Sequence, residues 1–175
     1  MELSVVESDG VDERTRAELR ELWDSAFDDF GDDDADHAYG GVHVLARDGG
    51  RLLAHASAVP RRIRFGDGPW REIGYVEAVA VVPERQGEGL GRQVMRALQV
   101  EIAARWPVAM LSTGSHGFYE GLGWERWDGR SFTQTPEGAV ADGEEDGLMI
   151  LRVEPRAVPD LAVEATCEDR PGDAW

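Results

Sequence analysis

A glycine-rich turn between a strand and a helix is the feature that most constrains the fold of this chain. Residues 77–82 read Glu-Ala-Val-Ala-Val-Val, as expected of a buried strand, and after Pro83 the chain runs through Gly87, Gly89 and Gly91 into a helical pattern. Glycines let the backbone approach a ligand closely, and a helix N-terminus presents N–H groups and partial positive charge to an anion. The stretch therefore predicts a pyrophosphate site, with a purely structural tight turn as the alternative.

The loop does not match the two common nucleotide-binding motifs. It lacks the Lys and Ser/Thr of a P-loop, and its glycine spacing differs from that of the Rossmann fingerprint. ATP and NAD are therefore disfavoured as ligands. The helix behind the loop has an apolar residue at every fourth position until Pro107 stops it. These residues are Leu90, Val94, Leu98, Ile102 and Trp106.

The rest of the chain alternates between strand and helix patterns. An amphipathic helix follows a Thr15-x-x-Glu18 capping pattern, and the acidic stretch 30–41 suits an exposed loop or a short irregular helix. The segments between 43 and 82 predict three consecutive antiparallel strands, because glycine turns separate them. Strands are predicted at 3–6, 43–47, 52–64, 72–82, 108–112, 124–127 and 148–153, with a short helix at 118–122 and a polar tail.

Composition restricts the class of partner. The 35 acidic residues outnumber the 18 basic ones, all of them Arg, and give a formal net charge of −17. Such a charge disfavours nucleic acid and anionic membranes and favours a cationic small molecule, unless it serves only solubility. Cys167 is the only cysteine, so no intrachain disulfide is expected, and four scattered His with one Cys predict no metal site.

Length and hydropathy predict one domain over residues 1–175. A chain of 175 residues, 42% of them apolar, suffices for a single sizeable core. The first residues have no signal-peptide pattern, and no apolar run is long enough to span a membrane. A cytoplasmic protein is therefore expected.

Two motifs resemble signatures of the GNAT superfamily of N-acetyltransferases. Gln86-x-x-Gly89-x-Gly91 after a Val-Ala-Val strand is similar to motif A, and Gly117-Phe118-Tyr119-Glu120-Gly121-Leu122-Gly123-Trp124 is similar to the second signature. The resemblance implies an α/β (α+β) GNAT fold: a mixed, mostly antiparallel central sheet of about six to seven strands, flanked by helices and splayed at the motif A strand. It also implies acetyl-CoA (CoA) as cosubstrate. The implied cofactor-binding residues are Val79, Ala80, Val81, Gln86, Gly87, Glu88, Gly89, Leu90, Gly91, Arg92, Phe118 and Tyr119.

The same resemblance implies catalytic roles for three residues. The Val79 N–H would polarise the thioester carbonyl as an oxyanion donor. Tyr119 would be the general acid, since a phenol with a pKa of about 10 can protonate a departing thiolate; a Tyr packed in the core is the alternative. Glu77, two residues before Val79 and on the same face by strand periodicity, would take the proton from the amine directly or through water, or simply neutralise the ammonium; an ordinary strand-end carboxylate is the alternative. Other candidate bases are His43, His55 and His116.

Over nearly its whole length the chain is similar to bacterial aminoglycoside 2′-N-acetyltransferases. The resemblance lies in segments 26–43, 74–81 and 144–147 and in the unusual ending Gly-Asp-Ala-Trp. It implies direct transfer of an acetyl group, in a ternary complex, to an amino group (the 2′-amino) of an aminoglycoside. An aromatic last residue also suggests a docked terminus, because chain ends usually fray. The implied acceptor-binding residues are Asp29, Asp34, Glu77, Ala78, Ser112, Glu144, Glu145, Asp173 and Trp175.

Two other interpretations stay open at this point. One is a GNAT enzyme that acts on another polyamine, a small amine or a peptide amine. The other is a non-catalytic acyl-CoA-binding sensor domain, against which the presence of Tyr119 and Glu77 argues. Cys167 is expected to be a spectator, because an acyl-carrying thiol would need an activating base nearby. A homodimer is left open.

Overall fold

The computed structural model describes residues 1–142, 147–158 and 160–175. These residues form two compact units: unit 1 comprises Met1–Val59 and Val76–Glu101, and unit 2 comprises Pro60–Tyr75 and Ile102–Trp175. The strands are β1 (Glu2–Glu7), β2 (Val42–Asp48), β3 (Arg51–Phe65), β4 (Trp70–Val81), β5 (Val108–Ser112), β6 (Glu125–Arg126), β7 (Ser131–Thr135), β8 (Gly138–Ala141), β9 (Leu148–Arg152) and β10 (Ala165–Glu168). The helices are α1 (Glu13–Ala26), α2 (Asp32–His37), α3 (Leu90–Arg105) and α4 (His116–Glu120), with 3₁₀ turns at Ser8–Gly10 and Pro83–Arg85.

Unit 1 is built on the paired strands β1, β2 and β3. Strand β2 pairs antiparallel with both of its neighbours, and its side chains Val42, Val44 and Ala46 are buried. Just beyond β4, the N–H of Val82 donates to the carbonyl of Leu53 at 2.9 Å, so the end of β4 lies along β3. The predicted series β2, β3 and β4 therefore forms neighbouring strands.

The start of α1 differs from the prediction. Asp12, not Thr15, is the N-cap residue: its Oδ1 accepts the N–H of Thr15 at 2.7 Å. A carboxylate three residues ahead of Thr15 starts the helix one turn earlier, so the Thr15-x-x-Glu18 capping prediction is wrong. The buried face is the predicted one, with Leu19 and Trp23 at its centre.

The acidic segment and the long helix agree with expectation. The acidic segment holds the short helix α2, whose first turn is capped because the N–H of Gly31 donates to Asp34 Oδ2 at 2.7 Å. Helix α3 runs over Leu90–Arg105, and Leu90, Val94, Leu98 and Ile102 are buried as their spacing predicted.

Unit 2 contains mixed pairing. Its strand order is β6-β9-β5-β4-β3-β10-β7-β8. Parallel pairing joins β4 to β5, at Gly74–Ala109 and Tyr75–Met110, and β10 to β7, whereas β5 with β9 and β10 with β3 are antiparallel. The predicted splay of β4 beyond these residues stays a prediction. Only glycine fits at position 74, because a Cβ there would lie 2.5 Å from the Trp106 ring.

The structure holds more strands than the sequence predicted. The described residues form ten strands against the six to seven expected: β7 and β8 lie between two predicted strands, where no element was predicted, and β10 lies in the predicted polar tail. Their segments carry Ser, Thr, Gln and Gly, so the local pattern lacks an apolar alternation. The prediction of one domain over 1–175 stays a prediction. Among the described residues, no helix is long and apolar enough to cross a membrane.

Candidate active site

The predicted pyrophosphate loop, residues 86–92, lies in unit 1. Gly87 and Gly89 have φ angles of 80° and 84°, in the left-handed region that residues with a Cβ rarely adopt. The Gly89 carbonyl accepts the N–H of Gln93 at 3.1 Å, so the helix is established directly after the loop. First-turn N–H groups of a helix have no acceptor four residues earlier, and they supply the donors and positive charge that an anion requires.

Side chains brace this loop. Gln86 Nε2 donates to the Val81 carbonyl at 3.2 Å and so ties the loop to the end of β4. Arg85 Nε lies 2.6 Å from Glu88 Oε2 across the turn. Gln86 and Glu88, both predicted cofactor residues, are thus engaged within the loop, and their contact with the cofactor stays a prediction.

The segment Glu77–Ala78–Val79 contains an irregularity in β4. Ala78 has φ 50°, the only positive φ of a non-glycine residue among those the structure describes. All three residues are half-buried rather than alternately buried and exposed. The prediction that Glu77 and Val79 share a strand face rested on regular alternation, and that premise fails at Ala78.

Polar groups of β3 hold this irregular turn. Ser57 Oγ donates to the Glu77 carbonyl at 3.2 Å, and His55 Nδ1 lies 2.9 Å from the Ala78 carbonyl. Ser57 was not among the residues predicted from the sequence. The signal was present, since His55 and Ser57 occupy alternate positions in the otherwise apolar stretch 52–59 of β3.

Two of the histidines named as candidate bases are buried in unit 1. His43 and His55 are fully buried. Burial lowers the pKa of His43 to about 4, helped by Arg16, and burial together with His43 lowers the pKa of His55 to about 3. Both rings are therefore neutral at physiological pH, and their burial removes them from direct contact with a dissolved amine.

Tyr119 lies in unit 2 on α4, between two aromatic neighbours. Its ring meets Phe118 edge-on at 4.9 Å and Trp124 at 6.1 Å, and the residue is 8% exposed. Burial raises the pKa of the Tyr119 phenol to about 12. The phenol thus keeps its proton at neutral pH, as a proton donor must.

The C-terminus is docked in unit 2, as its aromatic ending suggested. Trp175 is buried, its Nε1 donates to Asp142 Oδ2 at 2.6 Å, and its backbone N–H donates to Asp173 Oδ1 at 3.1 Å. Asp142 also accepts the Thr133 hydroxyl at 2.8 Å. The sequence did not indicate the contact of Asp142 with Trp175, because it spans 33 residues.

The remaining predicted acceptor residues are distributed over both units. Asp29 is exposed in the bend before α2, and Asp34 uses one carboxylate oxygen in the α2 cap. Ser112 is exposed at the end of β5, opposite Leu148 of β9. Glu144 and Glu145 lie outside the described residues.

Comparisons with known proteins agree with this architecture. The family described as "Acetyltransferase (GNAT) domain" matches residues 10–127. An aminoglycoside 2′-N-acetyltransferase from Mycolicibacterium fortuitum is 37% identical over 180 residues, which cover 98% of this chain and 90% of that protein.

Solved structures show the same fold. The GNAT family N-acetyltransferase YhbS from Escherichia coli, solved in complex with CoA, has a TM-score of 0.69 at 15% identity, over 98% of this chain and 93% of that chain. A GCN5-related N-acetyltransferase from Kribbella flavida has a TM-score of 0.59 at 19% identity over 74% of this chain, which spans only 34% of that longer protein. The GNAT fold inferred from the glycine turn is thereby confirmed, and the chain belongs to the GNAT family of acetyltransferases.

Proposed function

We propose that this chain transfers the acetyl group of acetyl-CoA to the 2′-amino group of an aminoglycoside in a ternary complex. The observation that carries the proposal is the 37% identity to the M. fortuitum aminoglycoside 2′-N-acetyltransferase over 98% of this chain. The net charge of −17 agrees with a polycationic acceptor.

The donor site is the loop 86–92 with the strand before it. The left-handed glycines and the start of α3 offer backbone N–H groups to the pyrophosphate of acetyl-CoA. The backbone of residues 79–81 pairs with the pantetheine arm in the manner of an added strand, with Phe118 and Tyr119 contributing side chains. Backbone donors suffice here, which agrees with a loop whose Gln86 and Glu88 are engaged within it.

The chemistry is nucleophilic attack of a neutral amine on the thioester carbonyl. The N–C bond forms, the C–S bond breaks, and the Val79 N–H stabilises the oxyanion between these events. Glu77 takes the proton that the ammonium must lose, directly or through water, and Tyr119 donates to the departing thiolate of CoA. Tyr119 is protonated in this role because its pKa is raised to about 12.

The acceptor is held by carboxylates. Asp29, Asp34, Asp173 and the carboxylate of Trp175 bind its ammonium groups, together with Glu144 and Glu145, while Ala78 and Ser112 contribute backbone and hydroxyl contacts. The docking of Trp175 supports this assignment, because its indole is fixed by Asp142 and its backbone by Asp173.

The test gives the purified full-length protein a set of aminoglycosides, some with and some without a 2′-amino group, and measures their acetylation. Release of the CoA thiol is followed in time, and NMR of the product identifies the acetylated nitrogen. We expect turnover only with a 2′-amino group, whereas equal turnover of spermidine or a peptide amine would replace the proposed acceptor. Growth of a susceptible strain that expresses the chain in its cytoplasm then tests for antibiotic resistance.

A further inference from the structure

A chain of buried hydrogen bonds runs through unit 1 to the Ala78 carbonyl. Ser8 Oγ lies 2.8 Å from His43 Nε2, His43 Nδ1 lies 3.0 Å from His55 Nε2, and His55 Nδ1 lies 2.9 Å from the Ala78 carbonyl oxygen. Both histidines are fully buried and Ser8 is 8% exposed. Buried polar groups of this kind are costly unless each is satisfied, so the direction of every bond is constrained.

The Ser8 end sets that direction. The N–H groups of Gly40 and Gly41 donate to Ser8 Oγ at 2.8 and 3.0 Å, which uses both lone pairs of the hydroxyl. A protonated His43 Nε2 would be a third donor to the same oxygen. The Ser8 hydroxyl has two acceptors within reach, His43 Nε2 at 2.8 Å and the Gly41 carbonyl at 3.0 Å, which also receives the Ser8 N–H at 2.9 Å. Because the lone pairs of Ser8 Oγ are taken, only the hydroxyl proton can join Oγ to Nε2, and this shorter contact is therefore donation from Ser8 to a bare His43 Nε2.

The proton position on His43 fixes the proton position on His55. A neutral ring carries one proton, so His43 with a bare Nε2 carries it on Nδ1 and donates to His55 Nε2. His55 then carries its own proton on Nδ1 and donates to the Ala78 carbonyl. The Trp23 indole N–H, 3.2 Å from the same Nδ1, competes for that nitrogen, because a ring nitrogen either holds a proton or offers a lone pair. A proton on Nδ1 breaks the bond from Trp23 and makes the bond to Ala78, which is the shorter contact at 2.9 Å. The Ser8 end and this distance both favour donation to Ala78.

The hydrogen bond from His55 to the Ala78 carbonyl orients the Val79 amide. The Ala78 carbonyl and the Val79 N–H belong to one planar trans peptide, in which they point in opposite directions. A hydrogen bond that fixes the carbonyl towards His55 therefore aims the Val79 N–H away from His55. Donation to the carbonyl also polarises the peptide and strengthens its N–H as a donor.

We propose that Ser8, His43 and His55 are positioning residues that orient the Val79 N–H for stabilisation of the oxyanion. This inference rests on the proposed acetyl transfer. The bond to the Ala78 carbonyl also helps to hold the φ of 50° at Ala78, a conformation that residues with a Cβ rarely adopt and that requires surrounding contacts to persist. Ser57 adds a second anchor by donating to the Glu77 carbonyl at 3.2 Å.

The kinetic test uses two amides at position 55. His55→Asn places an N–H close to the position of Nδ1 and preserves the bond to Ala78, whereas His55→Gln places one close to Nε2 and loses it. We expect kcat to fall about 10- to 100-fold in His55→Gln, the range seen when a group that orients a functional partner is lost. The KM for acetyl-CoA should change less than about 3-fold, and His55→Asn should recover most of kcat, because the Val79 N–H acts mainly in the transition state.

A matched control separates positioning from stability. Val44 is fully buried beside His43 on β2, so Val44→Ala destabilises the same unit without removing any of the hydrogen bonds from Ser8 to Ala78. We expect it to lower Tm as much as His55→Gln does and to leave kcat unchanged. An equal loss of kcat in Val44→Ala, or equal kcat in the Asn and Gln variants, would overturn the proposal.

Ring ¹⁵N NMR of the full chain tests the hydrogen-bond chain without any acceptor. We expect both buried histidines to be neutral with Nδ1 protonated, and Ser8→Ala to mix the two tautomers. Protonation at Nε2 of either ring in the unmodified chain would overturn the proposal. If the unmodified protein acetylates no aminoglycoside, the proposed function fails. The tautomers of His43 and His55 still decide whether these hydrogen bonds orient Val79.

Discussion

At the scale of single residues, burial of Tyr119 limits how it can help the departing thiolate. Its phenol, with a pKa of about 12, is a weaker acid than a thiol, whose ordinary pKa is about 8.5. Complete proton transfer from Tyr119 to the thiolate is therefore uphill by about 3.5 pKa units, or about 5 kcal/mol. A hydrogen bond to sulfur in the transition state, with water restoring the proton, agrees better with that difference than full transfer does.

Tyr119→Phe should consequently fall at the lower end of general-acid effects, with kcat reduced about 100-fold and the Kd for CoA changed less than about 3-fold. The raised pKa also keeps the phenol protonated until about pH 12, so kcat should not fall between pH 8 and 10 through its ionisation. Initial rates over that pH range check both statements. Tyr39→Phe is the control and should keep full activity. An alkaline loss centred near pH 10 that is absent from Tyr119→Phe would contradict the pKa argument.

The residues that the sequence could predict are those whose role is local. Gly89 was predicted because a glycine at that point of the turn permits its left-handed φ of 84°. The contact of Ser8 with His43 spans 35 residues, and that of His43 with His55 spans 12. No local pattern encodes such contacts, so a chain of buried polar residues became visible only in the folded strands.

At the scale of elements, periodicity decided which parts were predictable. Helix α3 and strand β5 were predicted nearly residue for residue, because a sustained apolar repeat and a continuous apolar run are strong signals. Strands β7, β8 and β10 were missed because pairing with neighbours, rather than an apolar pattern, stabilises them.

The loop before α3 supports a direct prediction. Gly89→Asp should abolish acetyl-CoA binding, because a Cβ is strained at φ 84° and a carboxylate would repel the pyrophosphate at the helix N-terminus. Isothermal titration calorimetry with CoA measures the effect. Gly50→Asp is the matched control, since Gly50 has φ 85° in the hairpin turn between β2 and β3 of the same unit. Unchanged affinity in Gly89→Asp, or equal loss in Gly50→Asp, would refute the loop assignment.

The C-terminal residues 173–175 are predicted to bind the acceptor. Deletion of residues 173–175 removes the Asp173 side chain and the native terminal carboxylate, each worth about 1–2 kcal/mol towards an ammonium group after desolvation. The KM for the aminoglycoside should rise about 30- to 1000-fold while the Kd for CoA is kept. Trp175→Phe, which retains the carboxylate and loses the indole bond to Asp142, should show a smaller rise. Circular dichroism confirms folding of each variant, and an unchanged KM in the deletion would remove this segment from the acceptor site.

At the scale of the whole molecule, the two buried histidines make stability depend on pH. In the unfolded chain both have pKa values of about 6.5, against about 4 and about 3 in the folded state. Between pH 6.5 and 4 the unfolded state therefore binds more protons, and stability falls as pH falls, by up to about 2.7 kcal/mol per pH unit. Urea unfolding at pH 7, 6 and 5 measures the slope. A His43→Gln/His55→Asn double variant should flatten it, and an equal slope in both proteins would contradict the assignment.

The net charge of the protein determines how strongly it attracts a charged acceptor from solution. A net charge of −17 attracts a polycation from a distance, and salt weakens this attraction because the Debye length falls from about 30 Å at 10 mM ionic strength to about 10 Å at 100 mM. The KM for an aminoglycoside should thus rise several-fold over that range, while kcat, which reports the bound complex, stays constant. The KM for acetyl-CoA should fall or stay level, because screening reduces repulsion of an anion. Glucosamine, an amino sugar with one positive charge, is the matched acceptor and should show a much weaker salt dependence. A KM for the aminoglycoside that is flat between 10 and 100 mM, or that follows glucosamine, would mean that the acidic surface serves solubility and not acceptor capture.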